Sequence, residues 1–273
     1  MKKIFIFFAL LIYLAGAAQA SYISLQTSVS TRLARNTLYV TVSAVNKGDE
    51  KAYNLQAEIK VGDQKVLAEK WDELGIDETY RETATFRLNF EKPGEYPLFV
   101  TVHYADANLY PFSALTCQTF LSGAESLPSE IFGKVWSSPF FKKGKAKVTL
   151  KNLSDAEISV LTSLFVPREL TAQGTPRKIS LAPKAEKAID FAIENFSALS
   201  GSSYQVFAVS VYEREGRHFS SIIPGTIKIE ETKNVLGMNY VPVVLILIIL
   251  IAIFVTAQFL GKKKIGFPSF KFK

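Results

Sequence analysis

Three turn sequences recur in this chain at a nearly constant spacing, and this internal repeat limits the possible folds more than any other feature. The sequence Asn-Lys-Gly-Asp at 46–49 is followed 106 residues later by Asn-Leu-Ser-Asp at 152–155. Two further landmarks keep almost the same offset, Leu74 with Leu181 and Gly94 with Gly201. Two copies of one fold explain this spacing most economically.

Between the landmarks, short runs alternate apolar and polar residues, as half-buried β-strands do. Turn residues such as Gly, Pro, Asn and Asp separate the runs, a pattern typical of antiparallel β-sandwiches. The predicted strands are 38–45, 54–61, 83–90, 97–104, 146–150, 158–166, 188–193, 204–212 and 226–229.

The fold class expected is all-β, with two tandem Ig-like β-sandwich domains and one C-terminal transmembrane α-helix. The boundary between the copies falls in a stretch that is rich in small residues and poor in strand pattern. We therefore expect a first sandwich at 21–122, a linker at 123–129 and a second sandwich at 130–230. About 100 residues for each copy suits a sandwich domain.

The N-terminal segment 1–20 has the pattern of a cleavable signal peptide. Lys2 and Lys3 precede an apolar run that starts at Ile4, and the segment ends in Ala-Gln-Ala at 18–20. The apolar run is too short to cross a bilayer comfortably. The alternative interpretation is an uncleaved signal anchor.

The segment 241–260 contains twenty residues without a charge and predicts a transmembrane helix at 240–260. A juxtamembrane piece at 231–239 precedes it, and a basic tail at 261–273 follows. Positive residues stay on the cytoplasmic side, so we expect a single-pass protein of the cell membrane whose ectodomain lies outside the cytoplasm. The tail is expected to lie on anionic headgroups or to dock a cytoplasmic partner.

The net charge of +7 comes from lysines at the two ends of the chain, so it does not support a nucleic-acid partner, and none is expected. Without the seven lysines of the terminal segments, the 32 basic residues fall to 25, equal to the 25 acidic residues. The ectodomain is therefore formally neutral. Those seven are Lys2, Lys3, Lys262, Lys263, Lys264, Lys271 and Lys273.

No residue set in the ectodomain has the spacing of a catalytic, cofactor or metal site, so the sequence predicts a protein that is not an enzyme. His103 and His218 are isolated from other ligand types. Cys117 is the one cysteine and is interpreted as a buried apolar side chain in a strand, with a bond between chains as the alternative. Asn152 and Asn195 begin N-glycosylation sequons.

An aromatic group at the start of the second copy precedes a basic loop. Phe132, Trp136, Phe140 and Phe141 come before the lysines of 142–145. These aromatics are either a contact for a partner or glycan, or packing for the domain interface and first strand. Packing is the interpretation that we favour from sequence.

The repeated turns resemble those of CARDB-type and related Ig-like domains of bacterial and archaeal cell-surface proteins, including S-layer-associated ones. In the first copy the likeness lies in 46–49 and in Pro-Gly-Glu-Tyr at 93–96, and in the second copy in Leu-Ala-Pro at 181–183 and in 201–204. The resemblance implies a role in adhesion, scaffolding or S-layer-type interaction, without catalysis. It supplies no binding residues.

These features together predict a non-catalytic, membrane-anchored surface protein that binds an unknown envelope protein or glycan. The alternative within binding proteins is an accessory subunit of a membrane complex for transport or secretion. A hydrolase of envelope polymers is the remaining alternative.

Overall fold

The computed structural model describes residues 22–123, 127–231, 234–235 and 238–261. Within these ranges the chain forms eighteen β-strands and one helix, which confirms the all-β class. The strands of the first half are β1 (Leu25–Ala34), β2 (Thr37–Asn46), β3 (Ala52–Val61), β4 (Gln64–Leu67), β5 (Trp71–Leu74), β6 (Thr79–Arg87), β7 (Gly94–Ala105) and β8 (Pro111–Ser122). Those of the second half are β9 (Ile131–Ser137), β10 (Lys143–Asn152), β11 (Ile158–Phe165), β12 (Leu170–Gln173), β13 (Arg177–Leu181), β14 (Glu186–Asn195), β15 (Ser203–Arg214) and β16 (Arg217–Lys228).

The first half packs two sheets around one apolar core. β2 lies between β1 and β6, while β3 pairs with β4, β5 and β7, and β7 also pairs with β8. Successive side chains of a strand point to opposite faces, so alternate residues of β2 share one side. Leu38, Val40, Val42 and Ala44 on that side are fully buried and belong to the same apolar cluster as Leu98 of β7.

The second half repeats this order of pairing around its own core. β10 lies between β9 and β14 as β2 lies between β1 and β6, and β15 lies between β11 and β16 as β7 lies between β3 and β8. One strand differs, because β4 pairs with β3 whereas β12 pairs with β14. Val148, Leu150, Phe191 and Val206 are fully buried in this second core.

Asn46 ends β2 and ties the turn that follows it to a neighbouring strand. Its side chain is fully buried. Its Nδ2 donates to the carbonyl of Glu50 at 2.7 Å and to that of Leu74 at 3.5 Å, and its Oδ1 accepts from the amide of Gly48 at 3.0 Å. One side chain thus satisfies main-chain groups that the turn would otherwise bury without a partner.

Asn152 makes the same bonds 106 residues later. Its Nδ2 donates to the carbonyls of Ala156 at 2.8 Å, Leu181 at 3.1 Å and Ala182 at 3.1 Å, and its Oδ1 accepts from the amide of Ser154 at 2.9 Å. In the sequon at 152–154, the nitrogen that would carry a glycan is therefore buried and already bonded to main-chain carbonyls.

Backbone conformation repeats at the other landmarks too. Asp77 and Lys184, 107 residues apart, have φ values of 59° and 57°. Gly94, with a φ of 148°, begins the long strand β7, and Gly201, with a φ of 79°, lies two residues before the long strand β15. Glycine reaches such values without the steric penalty that a Cβ brings. The internal repeat therefore extends from sequence to backbone geometry.

The two cores lie in one compact unit rather than in visibly separate bodies. The described residues up to Glu230 form a single unit. A nine-stranded sheet runs through both halves. Seven of its strands follow the order β13-β11-β15-β16-β7-β3-β4, while β5 pairs with β3 and β8 pairs with β7. The two halves join through a parallel contact between His218 of β16 and Gly94 of β7. The division at 123–129 into two Ig-like domains stays a prediction.

The C-terminal unit contains two short paired strands, β17 (Asn234–Val235) and β18 (Met238–Asn239), and the helix α1 (Tyr240–Gly261). The helix carries no acidic residue in its first turn and no basic residue in its last. No helix among the described residues is both long enough and apolar enough to cross a membrane. The predicted helix at 240–260 is thus confirmed as a helix, but a membrane span is not confirmed.

The predicted signal peptide at 1–20 and most of the basic tail lie outside the described residues.

The paired asparagines give a direct test of the repeat. We expect Asn152→Ala to lower the free energy of unfolding by about 2 kcal/mol, because several buried main-chain groups lose their partner. Asn46→Ala is expected to act in the same direction and to a similar degree. Urea unfolding monitored by tryptophan fluorescence measures both.

The control is Asn108→Ala, since Asn108 is exposed in the loop between β7 and β8. We expect that variant to unfold like the unmodified protein. Equal stability of Asn152→Ala and the control would contradict a structural role for the buried amides.

Candidate functional site

The outer faces of β7 and β8 in the first half and of β11 and β15 in the second half pack against each other, and the cleft described below lies at this junction. Phe99 of β7 points away from the first core, and Phe207 and Val209 of β15 point away from the second. The rings of Phe99 and Phe165 stack with centroids 3.8 Å apart. Since Phe207 and Val209 are also buried, β15 is covered on both faces.

Sequence reasoning missed this junction, although β15 carried a signal for it. Residues Val206, Phe207, Ala208 and Val209 form an unbroken apolar run where a half-buried strand would alternate. Such a run is typical of a strand buried on both faces. Cys117 of β8 packs against this junction cluster, and burial raises the pKa of its thiol. Cys117 thus lies in a strand, as predicted, but it is partly rather than fully buried.

A buried carboxylate reinforces the junction. Glu169 is 1% exposed, and its two carboxylate oxygens accept hydrogen bonds from the backbone amide and the hydroxyl of Ser113, each at 2.6 Å. The Ser113 hydroxyl in turn accepts from the amide of Arg168 at 3.0 Å. Burial, with the charge of Glu169 as a smaller contribution, raises the pKa of Tyr104 to about 12.

His218 lies at the junction between the two halves. Its Nδ1 donates to the carbonyl of Glu95 at 2.7 Å, and its ring stacks on Tyr96 with centroids 4.0 Å apart. Lys92 and Glu213 form an ion pair beside it. His103 lies on β7 with its Nε2 3.6 Å from a carboxylate oxygen of Glu58. Among the residues the structure describes, no cluster of His, Cys, Asp and Glu could hold a metal ion.

A cleft of about 700 Å³ opens beside Glu169, between β1, β8 and the start of β15. Its polar part contains the carboxylates of Glu50, Asp106 and Glu169, and the described lining residues include no lysine, arginine or histidine. Its aromatic lining consists of Tyr22, Tyr104, Phe112 and Tyr204. A pocket of this size lies within the range that ordinary ligands occupy.

The aromatic group at the start of the second half is mostly exposed, so the packing interpretation is wrong for three of its four members. Phe132, Trp136 and Phe141 are 54%, 59% and 44% exposed, whereas Phe140 is 6% exposed and bridges Ile229. In β9, strand alternation places Phe132 and Trp136 on the same face of the sheet, and that face is exposed to solvent.

We call this surface the basic face and define it by six exposed residues of β9 and β10: Phe132, Lys134, Trp136, Lys145, Lys147 and Lys151. In the register of the sheet, Lys147 lies opposite Trp136 and Lys151 opposite Phe132. Lys134 stands between the two aromatic residues on their own strand, and so the face alternates ring, ammonium and ring.

The asparagine of the second sequon is less buried than that of the first, but its side chain is also hydrogen-bonded. Asn195 is partly buried, and its Nδ2 donates to the carbonyls of Phe141 at 2.9 Å and Ala198 at 3.1 Å. A glycan at Asn195 would have to displace both bonds.

No family model matches the chain, and no curated protein matches it. Solved structures resemble it only distantly. They include a red sea bream transglutaminase (11% identity, 81% of this chain, 33% of that one, TM-score 0.27), the native conformation of an E. coli alpha-2-macroglobulin (10%, 77%, 17%, 0.33) and a protein of unknown function from Porphyromonas gingivalis W83 (12%, 76%, 99%, 0.31). The chain spans less than two thirds of the first two. At these TM-scores the likenesses assign neither a fold family nor an activity.

The histidine at the junction predicts a loss of stability in mild acid. Burial lowers the pKa of His218 below its ordinary value of 6.5. Between the folded and unfolded pKa values, the unfolded chain binds a proton that the folded chain does not. The contribution of neutral His218 to the free energy of unfolding is therefore complete above pH 6.5 and is lost as the pH falls below 6.5. We expect the free energy of unfolding to decrease from pH 8 to pH 5.5, and His218→Gln to reduce that decrease.

Burial lowers the pKa of His103 as well, so His103→Gln is expected to remove a separate part of the pH dependence. Chemical unfolding at a series of pH values measures both variants. An unchanged pH dependence in His218→Gln would contradict the contribution assigned to the junction.

Proposed function

We propose that this protein is a non-catalytic, membrane-anchored surface protein whose basic face binds an acidic polymer of the cell envelope. The observation that carries the proposal is the pair of exposed aromatic rings on β9 with a lysine between them. The two sandwich-like halves, which we propose to be Ig-like domains, hold this face in position.

The spacing of the aromatic pair suits a chain-like ligand. Phe132 and Trp136 lie four residues apart on one strand face, which separates them by about 13 Å at roughly 3.3 Å per residue. Flat aromatic surfaces stack well on the apolar faces of sugar rings. Two rings at this distance would contact successive units of one extended polymer.

The charge of the face favours an acidic ligand. Lys143 is paired with Glu194 at 2.8 Å, and both Lys147 and Lys151 lie opposite acidic residues of β14. Lys134 and Lys145 lie opposite Thr149 and Ala192 instead, so no acid faces them in the register. These two ammonium groups are the ones most available to carboxylate or phosphate groups of a ligand.

Membrane attachment is the second part of the proposal and rests on α1. Its segment 241–260 is uncharged, and lysines follow at 262–264. The large apolar side chains described in this helix are exposed, from 39% at Ile251 to 63% at Phe254. Exposed apolar side chains are stabilised in an apolar environment, and a bilayer would provide one. The ectodomain would then face the compartment in which envelope polymers occur.

The aromatic pair can be tested with a defined acidic polymer. The full chain in detergent micelles is applied to immobilised polygalacturonate, with neutral dextran as the reference. We expect binding to polygalacturonate, and we expect Trp136→Ala to weaken it about tenfold, since truncating a central aromatic contact costs on the order of 1–2 kcal/mol.

Phe196→Ala is the matched control, because Phe196 is 83% exposed and lies outside the basic face. It should leave binding unchanged. Equal binding to dextran, or equal affinities of Trp136→Ala and Phe196→Ala, would contradict the proposal.

A further inference from the structure

We infer that the cleft between β1, β8 and β15 binds a lysine or arginine side chain on an extended segment of a partner protein. This site is separate from the basic face and takes a ligand of the opposite charge. The feature that carries the inference is a buried carboxylate at the wall of an aromatic, acidic cleft.

The charged side chains that line the cleft are all acidic. Glu50, Asp106 and Glu169 line it, and its described lining holds no basic residue. The Asp106 carboxylate accepts from the amides of Asn108 at 2.9 Å and Tyr110 at 2.8 Å, which orders its own loop. The Glu169 carboxylate, in contrast, accepts its hydrogen bonds from Ser113 of β8 and not from its own loop.

Glu169 is the central group of the site. Its carboxylate has two hydrogen bonds from a neutral serine and forms no ion pair with any described residue of the chain. A carboxylate without a countercharge attracts a cation in the adjoining cleft, and the attraction is stronger where water is excluded. Ammonium and guanidinium groups are the cations that a protein partner offers.

The aromatic lining fits the same class of group. Tyr104 and Phe112 stack with centroids 5.6 Å apart, and Tyr204 lines the cleft from β15. Aromatic faces attract cations through their quadrupole, and guanidinium groups stack on them. A carboxylate beside such faces therefore selects an organic cation over a neutral or anionic group.

Open strand edges explain why the ligand should be an extended segment. Among the described strands, β1 pairs only with β2, and β8 pairs only with β7 along its length. Residues 203–206 of β15 pair with β16 alone, because β11 begins its pairing at Phe207. The amide of Ser113 already points across its open edge toward Glu169. Such edges offer main-chain groups to an added strand.

The test uses the full chain in detergent micelles and two labelled peptides, Gly-Arg-Gly-Arg-Gly and its counterpart with citrulline in place of arginine. Citrulline keeps the shape of arginine and removes its charge. Fluorescence anisotropy is expected to show at least tenfold tighter binding of the arginine peptide. Equal affinities for the two peptides, or no binding of either, would overturn the inference.

The variant Glu169→Gln is expected to weaken arginine-peptide binding at least tenfold. The control Asp155→Asn removes a carboxylate that is 93% exposed and outside the cleft, and it should bind like the unmodified protein. Thermal unfolding shows whether Glu169→Gln is folded. Unchanged binding by folded Glu169→Gln would overturn the inference.

If Glu169→Gln fails to fold, Glu50→Gln takes its place, because Glu50 lines the cleft and its loss leaves the Ser113 contact intact. A threefold loss of binding is expected, and no loss would overturn the inference. The variant Trp136→Ala separates the two proposals, since it should leave peptide binding unchanged even where polygalacturonate binding is lost.

Discussion

The packing of one outer strand face from each half against the other is the contact on which the remaining architecture depends. Phe99, Phe165 and Phe207 meet there, and each is supplied by a strand whose opposite face already forms a core. A strand that is buried on both faces cannot shift without disturbing two packed regions. The junction therefore fixes the position of the groups that line the cleft, since those groups come from both halves.

The two candidate sites differ in how they depend on that junction. The basic face lies on β9 and β10 and needs only the second half to be folded. The cleft needs both halves, because Ser113 comes from β8 and Glu169 from the loop before β12. The two surfaces also have opposite charge, so residues 21–260 are formally neutral but separate positive from negative charge locally. Under the two proposals, the protein would bind an acidic polymer and a basic partner at separate surfaces.

The buried asparagines illustrate how one sequence pattern can carry two meanings. Asn152 begins a sequence that fits a glycosylation site, yet its side chain is the internal support of a turn, as that of Asn46 is in the first half. The second meaning was present in the sequence as a repeat at a fixed offset. Turn chemistry repeats because it is local, since the amide bonds groups two and four residues away.

The sequence alone determined nine of the eighteen described strands, the turns, the repeat and the formal neutrality of residues 21–260, because alternation, turn residues and charge are local or additive properties. It also identified Phe132 and Trp136 as unusual, but alternation cannot say which face of β9 is covered. Only the tertiary structure decided that these rings are exposed, that β15 is buried on both faces and that Glu169 is hydrogen-bonded to Ser113. Those outcomes depend on contacts between residues more than fifty positions apart, and such contacts are set by the packing of whole sheets.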